Sequence, residues 1–251
     1  MVQVLQLADA MKTGNFMKLY KFRALQNDTD FKRIICILEE GFYCNNFFNF
    51  NDMNEGVYRN NQLNKDITFE EKNNYNICSF SGEKALNNEL MWGHYANAGK
   101  GIAIEIKMNT CMEIAKNVLN TDEDEFGDFS NSNEKAIHKR PNDKNLHRVI
   151  YKDNKNDLNT IEEILTHKSL IWEYEDEWRY LSNSNENPIQ IGTIEKIYFG
   201  TPYEHLHNYN DIQSKNQNLQ EYLKLKKKLI RLINKKYSNI DIIDYSFSKL
   251  K

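Results

Sequence analysis

Two carboxylates stand two residues apart in the run Trp172-Glu173-Tyr174-Glu175-Asp176-Glu177-Trp178-Arg179. If Glu177 opens a strand, Glu175 and Glu177 point to the same face. Like charges that close repel, so one of the two pKa values should rise. Such a pair suits work at a developing positive charge, for example an oxocarbenium ion, while the second group takes a proton from an acceptor. The same residues also fit an exposed strand edge with ion pairs to Arg179 or Lys168.

Three other groups could add chemistry. In Met91-Trp92-Gly93-His94-Tyr95-Ala96, helical spacing puts Met91, Trp92 and Tyr95 on one face and His94 elsewhere. As a pocket wall, Trp92 or Tyr95 would stack on a planar ring and His94 would supply a hydrogen bond; as packing, the segment is a core helix with a polar cap. In Ile77-Cys78-Ser79-Phe80-Ser81, strand alternation puts both hydroxyls on one side. They either orient a ligand or cap the turn at Gly82. The stretch 224–236 carries Lys224, Lys226, Lys227, Lys228, Arg231, Lys235 and Lys236 beside an apolar stripe of Tyr222, Leu225, Leu229 and Leu232. It reads as a packed helix with a solvated basic face, or as a nucleic-acid contact.

Other chemistries lack their residues. No G-x-S-x-G, Walker loop, G-x-G-x-x-G or H-E-x-x-H occurs. The acidic run Asp122, Glu123, Asp124, Glu125 and Asp128 lacks calcium-loop spacing and reads as a solvated loop. His205 and His207 have no evident co-ligands, and no metal is expected. Cys36, Cys44, Cys78 and Cys111 follow no zinc pattern and are expected to be reduced. Cys36 and Cys78 read as small core hydrophobes.

The 251 residues carry a formal charge of −3, so no global basic field draws the chain to nucleic acid. No apolar run approaches 18 residues, and the N-terminus lacks a basic and then apolar leader. A cytoplasmic protein without a membrane partner is expected.

The elements that must position these residues follow from periodicity. Residues 1–16 read as an appendage with one short amphipathic helix, and 17–251 as a single α+β domain. Strands are expected at Leu19–Phe22, Tyr75–Phe80, 102–107, 147–152, Glu177–Leu181, Ile194–Phe199 and Ile240–Phe247. A helix should run from Asp28 or Thr29 through Glu40, with Phe31, Ile34, Ile35 and Leu38 on one face. Another should begin at Asn87 or Asn88 and carry Trp92 and Tyr95. Further helices are expected over 109–119, 158–170 and 212–236, with a polar loop over 120–146. The strands do not alternate strictly with helices, which favours a mixed, largely antiparallel sheet core with flanking helices.

Taken in order, Leu19-Tyr20-Lys21-Phe22, Phe50-Asn51-Asp52 with Glu55, Cys78-Ser79-Phe80-Ser81, Met91-Trp92-Gly93-His94-Tyr95-Ala96 with Gly101, and the Trp172–Arg179 run form a recognisable set. It resembles a widespread bacterial domain family of unknown function with the pattern lyKY, fNDPfE, CfS, MWaHYA, kGv and WxyExEwR. The match extends from about Leu19 to Phe199, with Met53 where that family commonly has proline.

A second likeness is to mono-ADP-ribosyltransferases of the toxin type. They carry a basic residue on an early strand, a Ser-Thr-Ser-like strand and a later E-x-E. The corresponding residues here are Lys21 or Arg23, Ser79 with Ser81, and Glu175 with Glu177; Phe80 replaces the central threonine. This resemblance implies an ADP-ribosyltransferase-like fold and NAD as substrate. It implies a basic residue on the pyrophosphate, serines at the nicotinamide side, Glu177 on the ribose and Glu175 at the acceptor, with Trp92, His94 and Tyr95 flanking the ring. The implied protein is a transferase or NAD glycohydrolase in a toxin or phage-defence setting, with a protein or nucleic acid as acceptor. The competing expectations are a non-catalytic nucleotide- or protein-binding module, and a nucleic-acid-binding protein using the basic helix.

Overall fold

A computed structural model describes residues 17–50, 52, 56–57, 65–108, 145–153, 158–182 and 187–246. The expected appendage 1–16, the helix 109–119, most of the loop 120–146, and Asn51, Met53, Glu55 and Cys111 lie outside them.

Seven strands form one sheet in the order β4-β7-β2-β1-β3-β8-β9. They are β1 (Met17–Ala24), β2 (Asn76–Ser81), β3 (Gly101–Met108), β4 (Leu146–Arg148), β7 (Glu177–Ser182), β8 (Thr193–Gly200) and β9 (Asp241–Tyr245). Every neighbouring pair is antiparallel except β8–β9. Two short strands, β5 (Ile150–Tyr151) and β6 (His167–Lys168), pair in parallel beside it. The chain is therefore α+β with a mostly antiparallel sheet.

The sheet is covered on both sides. Helix α1 (Asp28–Glu39) and helix α7 (Gln217–Lys236) pack on one face. Phe31, Ile34 and Ile37 of α1 meet Leu219, Tyr222, Leu225, Leu229 and Ile233 of α7 over Leu19, Ile102, Ile104 and Phe199. On the other face, α3 (Glu83–Leu86) and α4 (Glu89–Tyr95) cover Tyr20, Phe22 and Ala103 with Ala85, Leu86, Met91 and Trp92. Alternation along β1 decides which residue goes to which layer.

Local rules explain most boundaries. Asn27, not Asp28 or Thr29, caps α1 by accepting from the Asp30 N–H. The chain leaves α1 through Gly41 at φ 115°, where a Cβ would stand 2.4 Å from Ile189 O. Asn88 caps α4 in the same way through the Leu90 N–H. The expected helix 212–236 divides into α6 (Tyr209–Lys215) and α7 at Asn216, whose side chain caps the second by accepting from Leu219 N. The expected strand 147–152 splits at Val149 into β4 and β5, which join different sheets. The expected helix 158–170 shortens to α5 (Ile161–Leu165), closed at its start by a Thr160–Glu163 capping box. It is followed by β6 and a 3₁₀ helix, Leu170–Glu175.

The alternation of β3 does not bury one face and expose the other. Glu105 is fully buried, with Tyr20 Oη donating to it at 3.0 Å and Tyr198 Oη at 2.7 Å. Helices on both faces make this a covered sheet, so apolar-polar alternation loses its meaning at its centre.

Candidate functional site

Strand β1 runs in register with β3 along its whole length, from Met17 opposite Met108 to Ala24 opposite Gly101. Its other neighbour is different. β1 and β2 meet only at Tyr20 and Ser81. Beyond that pair the two strands diverge, leaving Lys21–Ala24 without a β2 partner. The Lys21 ammonium takes up part of this gap by donating to the Ser79 carbonyl. It also lies over the Phe80 ring, 5.3 Å from its centroid. Sheet hydrogen bonds are thus replaced by one side chain, and the parting strands open a cleft of about 360 Å³.

The cleft holds two kinds of charge. At the gap stand Lys21 and Arg23, neither with a carboxylate at ion-pair distance among the described residues. Burial draws both pKa values below their ordinary range. Opposite them, beyond β2, are Glu175, Glu177, Lys168 and Arg179.

The acidic pair owes its arrangement to one residue. Glu175 ends the 3₁₀ helix, Glu177 begins β7, and Asp176 between them is left-handed at φ 45°, ψ 49°. Asp tolerates this conformation better than most residues. Its carbonyl accepts from Gly82 N at 2.7 Å, and Arg148 Nη2 lies 3.1 Å from Oδ1. The turn brings both glutamates onto Lys168, whose Nζ is 2.5 Å from Glu175 Oε2 and 3.3 Å from Glu177 Oε2.

Their protonation then diverges. Burial pushes Glu177 up, but Arg179 and Lys168 outweigh it and hold the carboxyl at about 2. The Ser79 hydroxyl adds a smaller lowering influence on Glu177. Glu175 is pushed above its usual range, chiefly by burial, with the Glu177 charge adding to the rise. Lys168 and the hydroxyl of Tyr95, which donates to Oε1, limit that rise. One carboxylate is fixed in its charged form and its neighbour is made more basic.

Of the residues proposed from the sequence, Lys21, Arg23, Ser79, Ser81, His94, Tyr95, Glu175 and Glu177 all line this cleft. Register explains part of this, since Ser81 lies opposite Glu177 across β2–β7 and Ser79 opposite Arg179. Neither serine is the cap of α3, because Gly82 occupies that position without a side-chain bond. Trp92 is a correction: it does not line the cleft. Its ring packs edge-on to Phe22 at 5.4 Å and stacks on Tyr245 at 5.0 Å, and Nε1 donates to Leu86 O at 2.9 Å. It is the packing centre of the layer behind the site. The exposed strand edge is also corrected: Glu177, Arg179 and Lys168 are buried, although the ion pairs expected there do form.

Lys168 and Arg179 are legible in the sequence only as partners of an exposed edge, and Tyr151 carries no signal there. The Tyr151 hydroxyl accepts from Glu177 N at 2.7 Å. Arg179 is two residues from Glu177 on one strand, so its side could have been inferred. Lys168 arrives on β6 from the separate two-stranded sheet, so its burial beside the pair has no signal in strand spacing.

The basic helix behaves largely as a packed element. Lys226 pairs with Asp244 at 2.6 Å and Lys236 with Glu39 at 2.9 Å, while Lys228 lies over the Phe31 ring at 4.2 Å. Among the described residues, no cluster of three or more His, Cys, Asp or Glu is placed to hold a metal ion. Among them, too, no helix is long and apolar enough to cross a membrane.

Residues 91–180, from the start of the Met91-Trp92-Gly93-His94-Tyr95 segment to Tyr180 on β7, match the model of a family described as a protein of unknown function (DUF2971). No curated protein and no solved structure gives a significant match to the chain.

Proposed function

We propose that the chain is an NAD-using protein of the ADP-ribosyltransferase or NAD-glycohydrolase kind, acting in a toxin or phage-defence setting in the cytoplasm. The observation that carries this reading is the charge layout of one cleft: Lys21 and Arg23 without acidic partners at one side, Glu175 and Glu177 at the other, Ser79 and Ser81 between. Cations without carboxylate partners suit a pyrophosphate. Fixed negative charge suits the ribose, where cleavage of the nicotinamide–ribose bond develops an oxocarbenium ion.

In this reading Glu177 stays ionised throughout the reaction and accepts from a ribose hydroxyl. Glu175, the more basic of the pair, takes the proton of the acceptor, which is water or a group on a protein or nucleic acid. Tyr95 orients Glu175 by its hydrogen bond. His94 is exposed at the cleft mouth, facing Tyr174 at 6.3 Å, and supplies a polar contact to the nicotinamide.

One observation favours a second reading, a non-catalytic nucleotide-binding module. Glu177 already receives Arg179 Nε and Nη2 and Lys168 Nζ. Those donors take most of the roughly four acceptor positions of a carboxylate, so a ribose hydroxyl competes with them. Lys168, at 3.3 Å the longest of the three contacts, is the one to yield.

The test is nicotinamide release from NAD by purified protein, alone and with cell lysate as acceptor source, beside calorimetric NAD binding. Turnover that Glu177→Gln lowers by about 10²–10³ at retained fold supports the enzyme. Binding without turnover gives the module. No binding and no release with any lysate defeats both.

A further inference from the structure

We infer that Cys44 and Cys78 form a reversible disulfide in the wall of the cleft, with Cys78 as the sulfur that peroxide attacks. The placement follows from an isolated antiparallel bridge. Asn45 N donates to Ile77 O at 2.9 Å, and Ile77 N donates to Asn45 O at 2.8 Å. The residues next to such a doubly bonded pair face each other without hydrogen bonds of their own, with Cα atoms about 4.5 Å apart and side chains on one face. Here those residues are Cys44 and Cys78. That spacing falls inside the roughly 4.4–6.8 Å that a disulfide spans.

Other observations agree. Both cysteines are buried and free, and each thiol influences the other's ionisation. The Cys44 backbone is clamped by one amide: Asn187 Oδ1 accepts from its N–H at 3.0 Å, and Nδ2 donates to its carbonyl at 3.0 Å. The pair therefore cannot drift apart easily. The flanking residues Tyr43, Asn45, Ile77 and Ser79 all line the cleft, so a molecule as small as peroxide comes within one residue of the sulfurs.

The charges around Cys78 make it the reactive member. Lys21 Nζ is 3.8 Å from its sulfur. Burial opposes ionisation, but the neighbouring Cys44, Lys21 and Arg23 outweigh it and hold the thiol at about 6, while Cys44 is pushed up. The Cys78 thiolate attacks one peroxide oxygen, the O–O bond breaks, and the departing hydroxide is protonated to water, leaving a sulfenic acid. Cys44 sulfur then attacks Cys78 sulfur, its proton leaves with the sulfenic hydroxyl as a second water, and the S–S bond forms. Two thiols are oxidised by two electrons and one peroxide is reduced to two waters. The bridge removes the sulfur anion that partners Lys21.

The experiment uses wild-type full-length protein and needs no NAD chemistry. Protein is treated with a few equivalents of hydrogen peroxide near neutral pH, alkylated, and digested without reductant for peptide mapping. The expected product is one peptide pair joined through Cys44 and Cys78, with circular dichroism unchanged and both thiols restored by dithiothreitol. In Lys21→Gln the same bridge should form several-fold more slowly. Both thiols remaining alkylatable, Cys78 passing to sulfinic acid unbridged, or bridges made chiefly through Cys36 or Cys111 would each overturn the inference. An unchanged rate in a folded Lys21→Gln protein removes Lys21 from it.

Discussion

Arg179 grips Glu177 at two points, Nε to Oε1 at 2.9 Å and Nη2 to Oε2 at 3.1 Å, in a site where both residues are buried. A two-point fork of this kind fixes the carboxylate's orientation as well as its charge. Its third nitrogen, Nη1, donates to Leu165 O at 2.5 Å, which ties the fork to the end of α5. Removing the arginine leaves a buried carboxylate with Lys168 as its remaining cation among the described residues. Arg179→Met should therefore lower stability by about 3–5 kcal/mol in urea unfolding. Glu177→Met/Arg179→Met should cost clearly less than the sum of the single changes, because the double variant strands neither charge. Additive costs would show that the pair is not coupled.

The divergence of the two glutamates predicts a stability profile with limbs of opposite sign. Glu177 has a folded pKa of about 2 against an ordinary 4.5, so between those values the unfolded chain binds the extra proton. Its contribution, about 3 kcal/mol, is present above pH 4.5 and lost as acid is added toward pH 2. Glu175 is raised, so its folded form holds the proton longer. Its effect is favourable at low pH and fades as pH climbs from the ordinary carboxylate range through the raised value. Urea midpoints across pH 3–8 should show wild type losing ground relative to Glu175→Gln over that climb. A difference independent of pH would remove the raised Glu175.

The turn at Asp176 is the mechanical link between the helical layer and the acidic pair. A Cβ on Gly82 would stand 2.1 Å from Asp176 Oδ2. Gly82→Ala must push that carboxylate from Arg148 or move the start of α3. A cost of about 1–3 kcal/mol is expected by thermal unfolding. Asp176→Gly keeps the left-handed backbone and relieves the crowding, so added to Gly82→Ala it should recover part of that loss. No recovery would place the strain elsewhere.

The legible parts of this fold are those governed by short-range rules. Strand β1, strand β8, the α1 face and the stripe of α7 follow periodicity that one layer of packing enforces, so Phe31, Ile34, Tyr222 and Leu229 are readable as core. Glu105 is not, since its burial depends on helices covering both faces and on two tyrosines from strands 85 and 93 residues away. In the site, Ser79 and Ser81 are legible together because β2 carries them with period 2, whereas Glu175 meets Glu177 through the left-handed turn at Asp176 and not through strand alternation. Trp92 falls on the same helix face in the sequence, but a helix face says which residues sit together, not which side of a helix layer is hollow. The burial of Lys168 is not legible, because its position against the glutamates depends on the 3₁₀ helix and the Asp176 turn, and neither has a periodic signature.

Tyr95 offers a test of Glu175 that leaves the buried charges in place. Its hydroxyl donates to Glu175 Oε1, a bond made preferentially to the charged carboxylate. Among the influences on Glu175, burial raises the pKa, and Lys168 and Tyr95 hold it down. Tyr95→Phe deletes only that oxygen, so the Glu175 pKa should rise further. If Glu175 must be unprotonated to accept a proton, the acid limb of the NAD-turnover profile moves to higher pH, while the rate on the alkaline plateau changes less than tenfold. Stability should fall by only about 1 kcal/mol, the usual cost of one such hydrogen bond. A structural role alone would lower the rate equally at every pH, with no movement of the limb. A limb that stays in place in a folded Tyr95→Phe protein would therefore take the proton-accepting role from Glu175.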